Sequence, residues 1–433
     1  MSTSPEFRVD VYQNEYLPVG GREVNAIVTV AATGSGGAQA QGAAPAAEVI
    51  IVDCSGSMNY PPTKLREAKR ATAAAIDTLR DGVRFAVIAG TERAGMVYPR
   101  EGGLAVADAR TRQRAKSSVA QLVADGGTAI GRWLSLADEL FRGQDDAIRH
   151  AILLTDGRNE HESPAALEQT LAACHGRFVV DCRGVGTDWV VDELRKVANA
   201  MLGTVDIVAD PVGLEADFQA MTATAMGKSV GDVRLRLWTP QGATIRFVKQ
   251  AEPTVLDLTG RRIATSAQVG DYPTGAWGTE SRDYHVCVEV NPAKVGDVML
   301  AGRVSLVSVS PDGRDEVLGQ GLVKATWTED TARSTKIHPV VAHYTGQAEL
   351  AEAIQEGLEA RRVGDLDTAT AKLGRAVALA ARSGNTDTAT LLAKVVDVDD
   401  PVTGRVRLKT KVSQADAMTL DTRSTKTSRV RKS

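Results

Sequence analysis

Asp53, Ser55 and Ser57 occupy alternate positions directly after the apolar run Val49-Ile50-Ile51-Val52. A carboxylate and two hydroxyls on a tight turn are hard oxygen donors. Mg²⁺ favours such donors and leaves coordination positions for water or a partner oxygen. The turn would lie at the carboxyl end of a buried strand, where open α/β sheets bind their ligands. Alone, the spacing also describes ordinary turn formers and helix N-caps. Two later segments complete it. Asp125-Gly126-Gly127-Thr128 is a flexible turn presenting a hydroxyl ahead of a helical stretch, and Ile152-Leu153-Leu154-Thr155-Asp156-Gly157 is a second apolar strand ending in a carboxylate.

These three motifs, in this order, resemble the metal-ion-dependent adhesion site of the von Willebrand factor A (VWA) family, and the resemblance covers residues 46–228. It implies a bound Mg²⁺ or Mn²⁺ with Ser55, Ser57 and Thr128 as hydroxyl ligands. It further implies that Asp53 and Asp156 serve as direct or water-bridged carboxylates, and that an acidic group of a partner fills the open position. Thr155 reads either as support for Asp156 or as a strand residue of high β propensity. Cys54 and Met58 read as packing, because a lone free cysteine behaves as a compact hydrophobe.

The elements that must position these groups alternate strand and helix. Strands are expected at 47–52, 84–89, 148–155, 177–183 and 203–208, with helices at 63–79, 107–124, 130–141, 164–175, 190–201 and 214–225. That alternation predicts an α/β domain over 46–228, a doubly wound, mostly parallel, Rossmann-like sheet with helices on both faces. From 230 to 330 apolar and polar residues alternate between turn signals such as Pro240 and Pro311, predicting an antiparallel β-sandwich of five to seven strands. Residues 5–32 show the same alternation but lack a sheet of their own. They are expected to pair into the sandwich, which makes the α/β domain an insertion joined through a flexible, Gly/Ala-rich connector at 33–47. Residues 338–397 read as a helical hairpin broken at Gly364-Asp365. It resembles a single tetratricopeptide unit, and either docks on the sandwich or forms a peptide groove.

The chain has 433 residues, 4% aromatics and a net charge of −3, with no overall basic excess pointing to nucleic acid. Residues from 402 onward carry nine basic groups against Asp416 and Asp421, a net +7. This composition predicts a basic, disordered tail over 400–433. Thr419, Thr422, Thr425 and Thr427 there are candidate phosphorylation sites for a phosphothreonine reader. No apolar run is long enough to span a bilayer, and the start of the sequence lacks a secretory pattern, so a cytoplasmic location is expected. The four cysteines are scattered without C-x-x-C spacing, so neither a zinc site nor a disulfide framework is indicated.

The favoured function is an intracellular, Mg²⁺-dependent protein-binding scaffold, not an enzyme. Resemblance to bacterial VWA proteins implies a MoxR-type AAA+ ATPase or a forkhead-associated, Ser/Thr phospho-signalling group as partners; from the composition, no membrane and no nucleic acid are expected. The alternatives are a metal-dependent hydrolase, with His161 or His175 beside an activated water, and a structural subunit with an inactive site.

Overall fold

The computed structural model describes residues 5–34, 44–309, 314–427 and 429. The chain divides into two compact units, one spanning 36–231 and the other combining 4–35 with 232–433. The N-terminal part supplies β1 (Glu6–Gln13), β2 (Tyr16–Leu17) and β3 (Glu23–Thr33) to the second unit. Most of the connector expected at 33–47 and the turn at Pro311 lie outside the described residues.

The first unit contains β4 (Ala46–Asp53), α1 (Thr63–Thr78), β5 (Arg84–Gly90), β6 (Ala94–Tyr98), β7 (Ala105–Val106), α2 (Ala109–Ala120) and α3 (Ile130–Phe141). It continues with β8 (Ile148–Thr155), α4 (Pro164–Cys174), β9 (Val179–Val185), α5 (Val191–Ala200), β10 (Val205–Val208) and α6 (Leu214–Met226). Its sheet has the order β10-β9-β8-β4-β5-β6, with β7 also on β5. The strands from β10 to β5 run parallel, and β6 and β7 are antiparallel to β5. Every residue of β4 is buried, which accounts for its almost unbroken apolar sequence. β4 and β8 pair in register up to Val52 and Leu154, so their carboxyl ends place Asp53 beside Thr155 and Asp156. Helix α1 presents Ala68, Ala71, Ala75 and Ile76 to the core, and the three alanines allow it to lie close over the sheet.

One element of the α/β core breaks the apolar rule. Glu48 on β4, His150 on β8 and Asp181 on β9 form a contiguous polar line through the sheet face. His150 Nδ1 lies 2.9 Å from Glu48 Oε1 and its Nε2 lies 3.0 Å from Asp181 Oδ2. Glu48 and His150 are both buried. Burial alone would hold the imidazole neutral, but the charge of Glu48 and the bonds to both carboxylates push its pKa up to about 10. Burial pushes the Glu48 carboxyl up, against the attraction of His150. Asp181 is held low, because the bond and charge of His150 outweigh its own burial.

The second unit adds β11 (Val230–Trp238), β12 (Thr244–Glu252), β13 (Leu256–Asp257), β14 (Ile263–Ala264), β15 (Val269–Trp277), β16 (Ser281–Glu289), β17 (Val298–Val309) and β18 (Asp315–Trp327). Two sheets result, β1-β3-β16-β12-β13 and β14-β15-β11-β17-β18-β2. The alternation predicts five to seven strands in this region; eight form, because β13 and β14 are two-residue pieces too short to leave a periodic signal. β3 lies between β1 and β16 and is antiparallel to both, so the N-terminal strands do belong to the sandwich. Deleting residues 5–33 removes an internal strand whose Val24, Ile27, Val28 and Val30 are fully buried. At about 2–5 kcal/mol for each large core side chain lost, the second unit should not fold. Residues 44–231 expressed alone should give a cooperative urea transition. A soluble, cooperatively folding 230–433 fragment would contradict this assignment.

Helices α7 (Thr331–Ser334), α8 (Pro339–Val363), α9 (Leu366–Ser383) and α10 (Thr386–Val395) follow, then β19 (Val396–Asp400), β20 (Arg405–Leu408) and α11 (Gln414–Arg423). The hairpin of α8 and α9 is present, with Gly364 at φ 86° closing α8. Val341 and Tyr344 of α8 pack on Ile27 and Ala251 of the sandwich, which is the docked arrangement. The expectation of disorder from 400 onward is corrected. Val396, Val406 and Leu420 close a core with Leu350, Ile354, Leu373 and Leu392. The chain then runs along the sandwich, where Val255 N–H donates to the Thr425 carbonyl and Thr427 Oγ1 donates to the Ala251 carbonyl at 2.7 Å. Thr419 and Thr422 donate their hydroxyls within α11, and Thr422 is buried. A segment too polar to build its own core is ordered here by completing another.

Candidate metal centre

The site assembles where β4 and β8 end. Asp53 Oδ1 accepts the Ser55 N–H at 2.7 Å and Oδ2 accepts the Thr155 hydroxyl at 2.5 Å. The Ser55 and Ser57 hydroxyls lie 2.9 Å apart, and Ser57 donates to Asp156 Oδ1 at 2.6 Å. Asp53, Ser55, Thr128 and Asp156 are buried, while Ser57 faces solvent. The five residues singled out in the sequence therefore come together. Thr155 supports Asp53 and not Asp156.

The clearest measure of convergence comes from Gly157. A Cβ placed on this glycine would lie 3.0 Å from Thr128 Oγ1, 3.4 Å from Ser57 Oγ and 3.7 Å from Asp53 Oδ2. Three oxygens from two segments, the turn after β4 and the Thr128 loop, thus surround one cradle beside a third loop, and the absence of a side chain at 157 keeps it open. Burial pushes the Asp53 carboxyl up to about 6 even though Ser55 and Thr155 donate hydrogen bonds to it. A buried carboxylate that is costly to ionise alone gains most from a cation. Hydroxyls and carboxylates without sulfur or imidazole suit a hard divalent ion, so the donor set fits Mg²⁺ or Mn²⁺. Among the described residues no cluster of three or more His, Cys, Asp or Glu could hold a metal ion; the cradle's oxygens come in large part from hydroxyls.

The Thr128 loop is held by groups the sequence did not single out as supports. Thr128 N–H donates to His161 Nδ1 at 3.1 Å, and His161 N–H donates back to the Thr128 carbonyl at 2.9 Å. Gly127 N–H donates to Glu92 at 2.9 Å. The first amides of α3 are satisfied by Asn159 at 2.8 Å and Glu162 at 2.6 Å. These contacts leave the Thr128 hydroxyl directed by its backbone. His161 serves as an acceptor that fixes the loop. His175 caps the far end of α4, which at 1.5 Å per residue places it roughly 16 Å along that helix from the site loop. Lys64, on the first turn of α1, was missed altogether: its ammonium donates to Asp156 Oδ2 at 2.7 Å.

A mostly parallel sheet with helices on both faces and a hydroxyl-rich cradle at its carboxyl edge is the arrangement of a von Willebrand factor type A domain. The chain belongs to that family. The profile described as von Willebrand factor type A domain matches residues 47–207, and the one described as von Willebrand factor type A C-terminal domain matches 378–424. The solved structure of a von Willebrand factor type A protein from Catenulispora acidiphila is 55% identical, aligned over 99% of this chain and 98% of its own, with a TM-score of 0.94. The ArnB paralog VWA2 from Sulfolobus acidocaldarius shares the fold at a TM-score of 0.58 and 13% identity, over 97% and 98% of the two chains. An uncharacterized protein of Synechocystis sp., sll0103, is 31% identical over 218 residues, 48% of this chain and 49% of that one, so the match spans about half of each. Domains of this family typically mediate protein interactions and commonly bind a divalent metal. No helix among the described residues is long and apolar enough to cross a membrane.

Proposed function

We propose that this chain is a divalent-metal-dependent protein-binding module, using Mg²⁺ or Mn²⁺, and that it captures an acidic side chain of a partner. The observation that carries this reading is the convergence of Thr128, Ser57 and Asp53 oxygens on the open cradle at Gly157. Ser55, Ser57 and Thr128 would hold the ion, with Asp53 and Asp156 balancing its charge. When bound, the ion supplies an electrophilic position that a carboxylate can fill. The rim suits a protein ligand: Tyr60, three residues after Ser57, is 79% exposed, and the exposed Arg158 beside Gly157 has no side-chain partner among the described residues. Exposed aromatic and arginine side chains are frequent anchors of interfaces.

The hydrolase reading is less favoured. It needs a base near the ion, and His161 is already committed to the Thr128 amide. A MoxR-type AAA+ ATPase, or a Ser/Thr kinase group with a forkhead-associated reader, is the proposed setting in the cytoplasm. A phospho-reader acting on Thr422 would require α11 to open first, because that hydroxyl is buried.

Partner capture on the immobilised full chain tests the function. Proteins retained in Mg²⁺ should be released by EDTA and by free acetate or glutamate at millimolar levels, and Arg158→Ala should retain less of them. Retention unchanged by EDTA would reject metal-dependent capture.

A further inference from the structure

Lys64 is a lysine where the proposed function has no use for one. It is 4% exposed, and its ammonium lies between Asp156 Oδ2 at 2.7 Å and Asp188 Oδ2 at 2.9 Å. Its stem rests against the loop after β9, where a Cβ on Gly186 would meet Lys64 Cε at 3.4 Å. That glycine has φ +68°, so this loop reaches the lysine by a backbone conformation that other residues rarely adopt. A buried ammonium persists only when paired, and Asp156, itself fully buried, is its inner partner. Asp188 is 67% exposed on its side chain and is the outer partner.

We propose that Lys64 is a resident cation that sets the divalent-metal affinity of this site. The inference rests on the metal reading above and adds the group that regulates it. One oxygen of Asp156 takes the ammonium and the other takes Ser57, so the carboxylate is turned by Lys64 and its charge is already partly neutralised. A divalent ion entering beside Ser57 meets a positive charge one carboxylate away. In a partly desolvated site that repulsion weakens metal binding. The same charge leaves the loaded centre with a positive excess over Asp53 and Asp156, which one carboxylate of a partner can neutralise. Lys64 thereby lowers affinity for the bare ion and favours the ion together with an acidic ligand. Asp188 acts in the opposite sense, since its charge offsets part of the ammonium.

The test is calorimetric titration of Mn²⁺ into the full chain at neutral pH and constant ionic strength, for wild type, Lys64→Met and Asp188→Asn. Lys64→Met should bind at least about tenfold more tightly, and Asp188→Asn several-fold more weakly. A purely structural role would weaken both, so the opposite signs are diagnostic; urea unfolding of each apo variant separates folding defects from affinity. Equal or weaker binding by Lys64→Met beside a wild type that does bind would overturn the inference while leaving the metal reading intact. Were Lys64→Met not to fold, Lys64→Gln takes its place beside Asp188→Asn: tighter binding by Lys64→Gln upholds the inference, and equal or weaker binding overturns it. A wild type that takes up no Mn²⁺ while Lys64→Met does would reject the metal reading for the native chain and uphold the inference. Silence in both rejects both.

Discussion

Thr128→Ala should reduce Mn²⁺ or Mg²⁺ affinity by about 100-fold or more, since loss of even an outer-shell partner costs a metal site 10–100-fold. Asp53→Asn should do the same through charge. The two differ in their effect on the fold. Loop placement alone would lead one to expect Asp53→Ala to spare stability. The structure shows instead that Asp53 is fully buried and accepts bonds from Ser55 and Thr155. Truncating it leaves those donors unsatisfied, at about 1–3 kcal/mol. The near-isosteric Asp53→Asn is the cleaner variant. Gly157→Ala extends the test, because it alters no proposed ligand. Its Cβ would enter the cradle 3.0 Å from Thr128 Oγ1, and φ at 157 is not in the left-handed region, so the backbone tolerates alanine. Calorimetry should show roughly tenfold weaker metal binding with little change in the urea midpoint. Full affinity in Thr128→Ala would remove the site from consideration.

His150→Ala should cost about 3–5 kcal/mol, the largest stability loss expected of any single substitution in the first unit, because it strands Glu48 as a buried, unpaired carboxylate. The pH dependence has a definite sign. His150 has a folded pKa raised to about 10, against about 6.5 when unfolded. Its contribution is therefore complete below about pH 6.5 and fades as pH rises through about 10. Urea unfolding of the wild type should show stability falling across that alkaline window. In His150→Ala the decline should be largely absent, although the protein is weaker throughout. A wild-type profile flat from pH 7 to 10 would mean that the imidazole is not held charged.

The residues that line the cradle were legible because each sits within a short local pattern: a buried apolar strand or glycine turn, then a polar group at its end. Asp53, Ser55, Ser57, Thr128 and Asp156 could be read without knowing which strands are neighbours. Lys64 could not. It looks like any polar residue at the start of an amphipathic helix, and its role is fixed by Asp156, 92 residues away. Glu48 is similar, since in sequence it only interrupts an apolar run. Its partner His150 is 102 residues distant and becomes adjacent only through the register of β4 and β8. The C-terminal segment was misread for the complementary reason. Its composition predicts no core of its own, and Val406 and Leu420 are too sparse to give a periodic signal. They are nevertheless sufficient to finish a core begun by α8 and α9. Local patterning thus reveals donors on turns, while charges paired across strands and helices depend on topology.

The central claim is that a divalent ion sits in the cradle bounded by Ser55, Ser57 and Thr128. Anomalous diffraction from crystals of the full chain soaked in Mn²⁺ tests this most directly. The account predicts one strong peak beside Gly157, within about 2.0–2.3 Å of the three hydroxyl oxygens, and its loss in Thr128→Ala. A peak bound elsewhere on the chain, or none at saturating Mn²⁺ with the cradle free of lattice contacts, would contradict it.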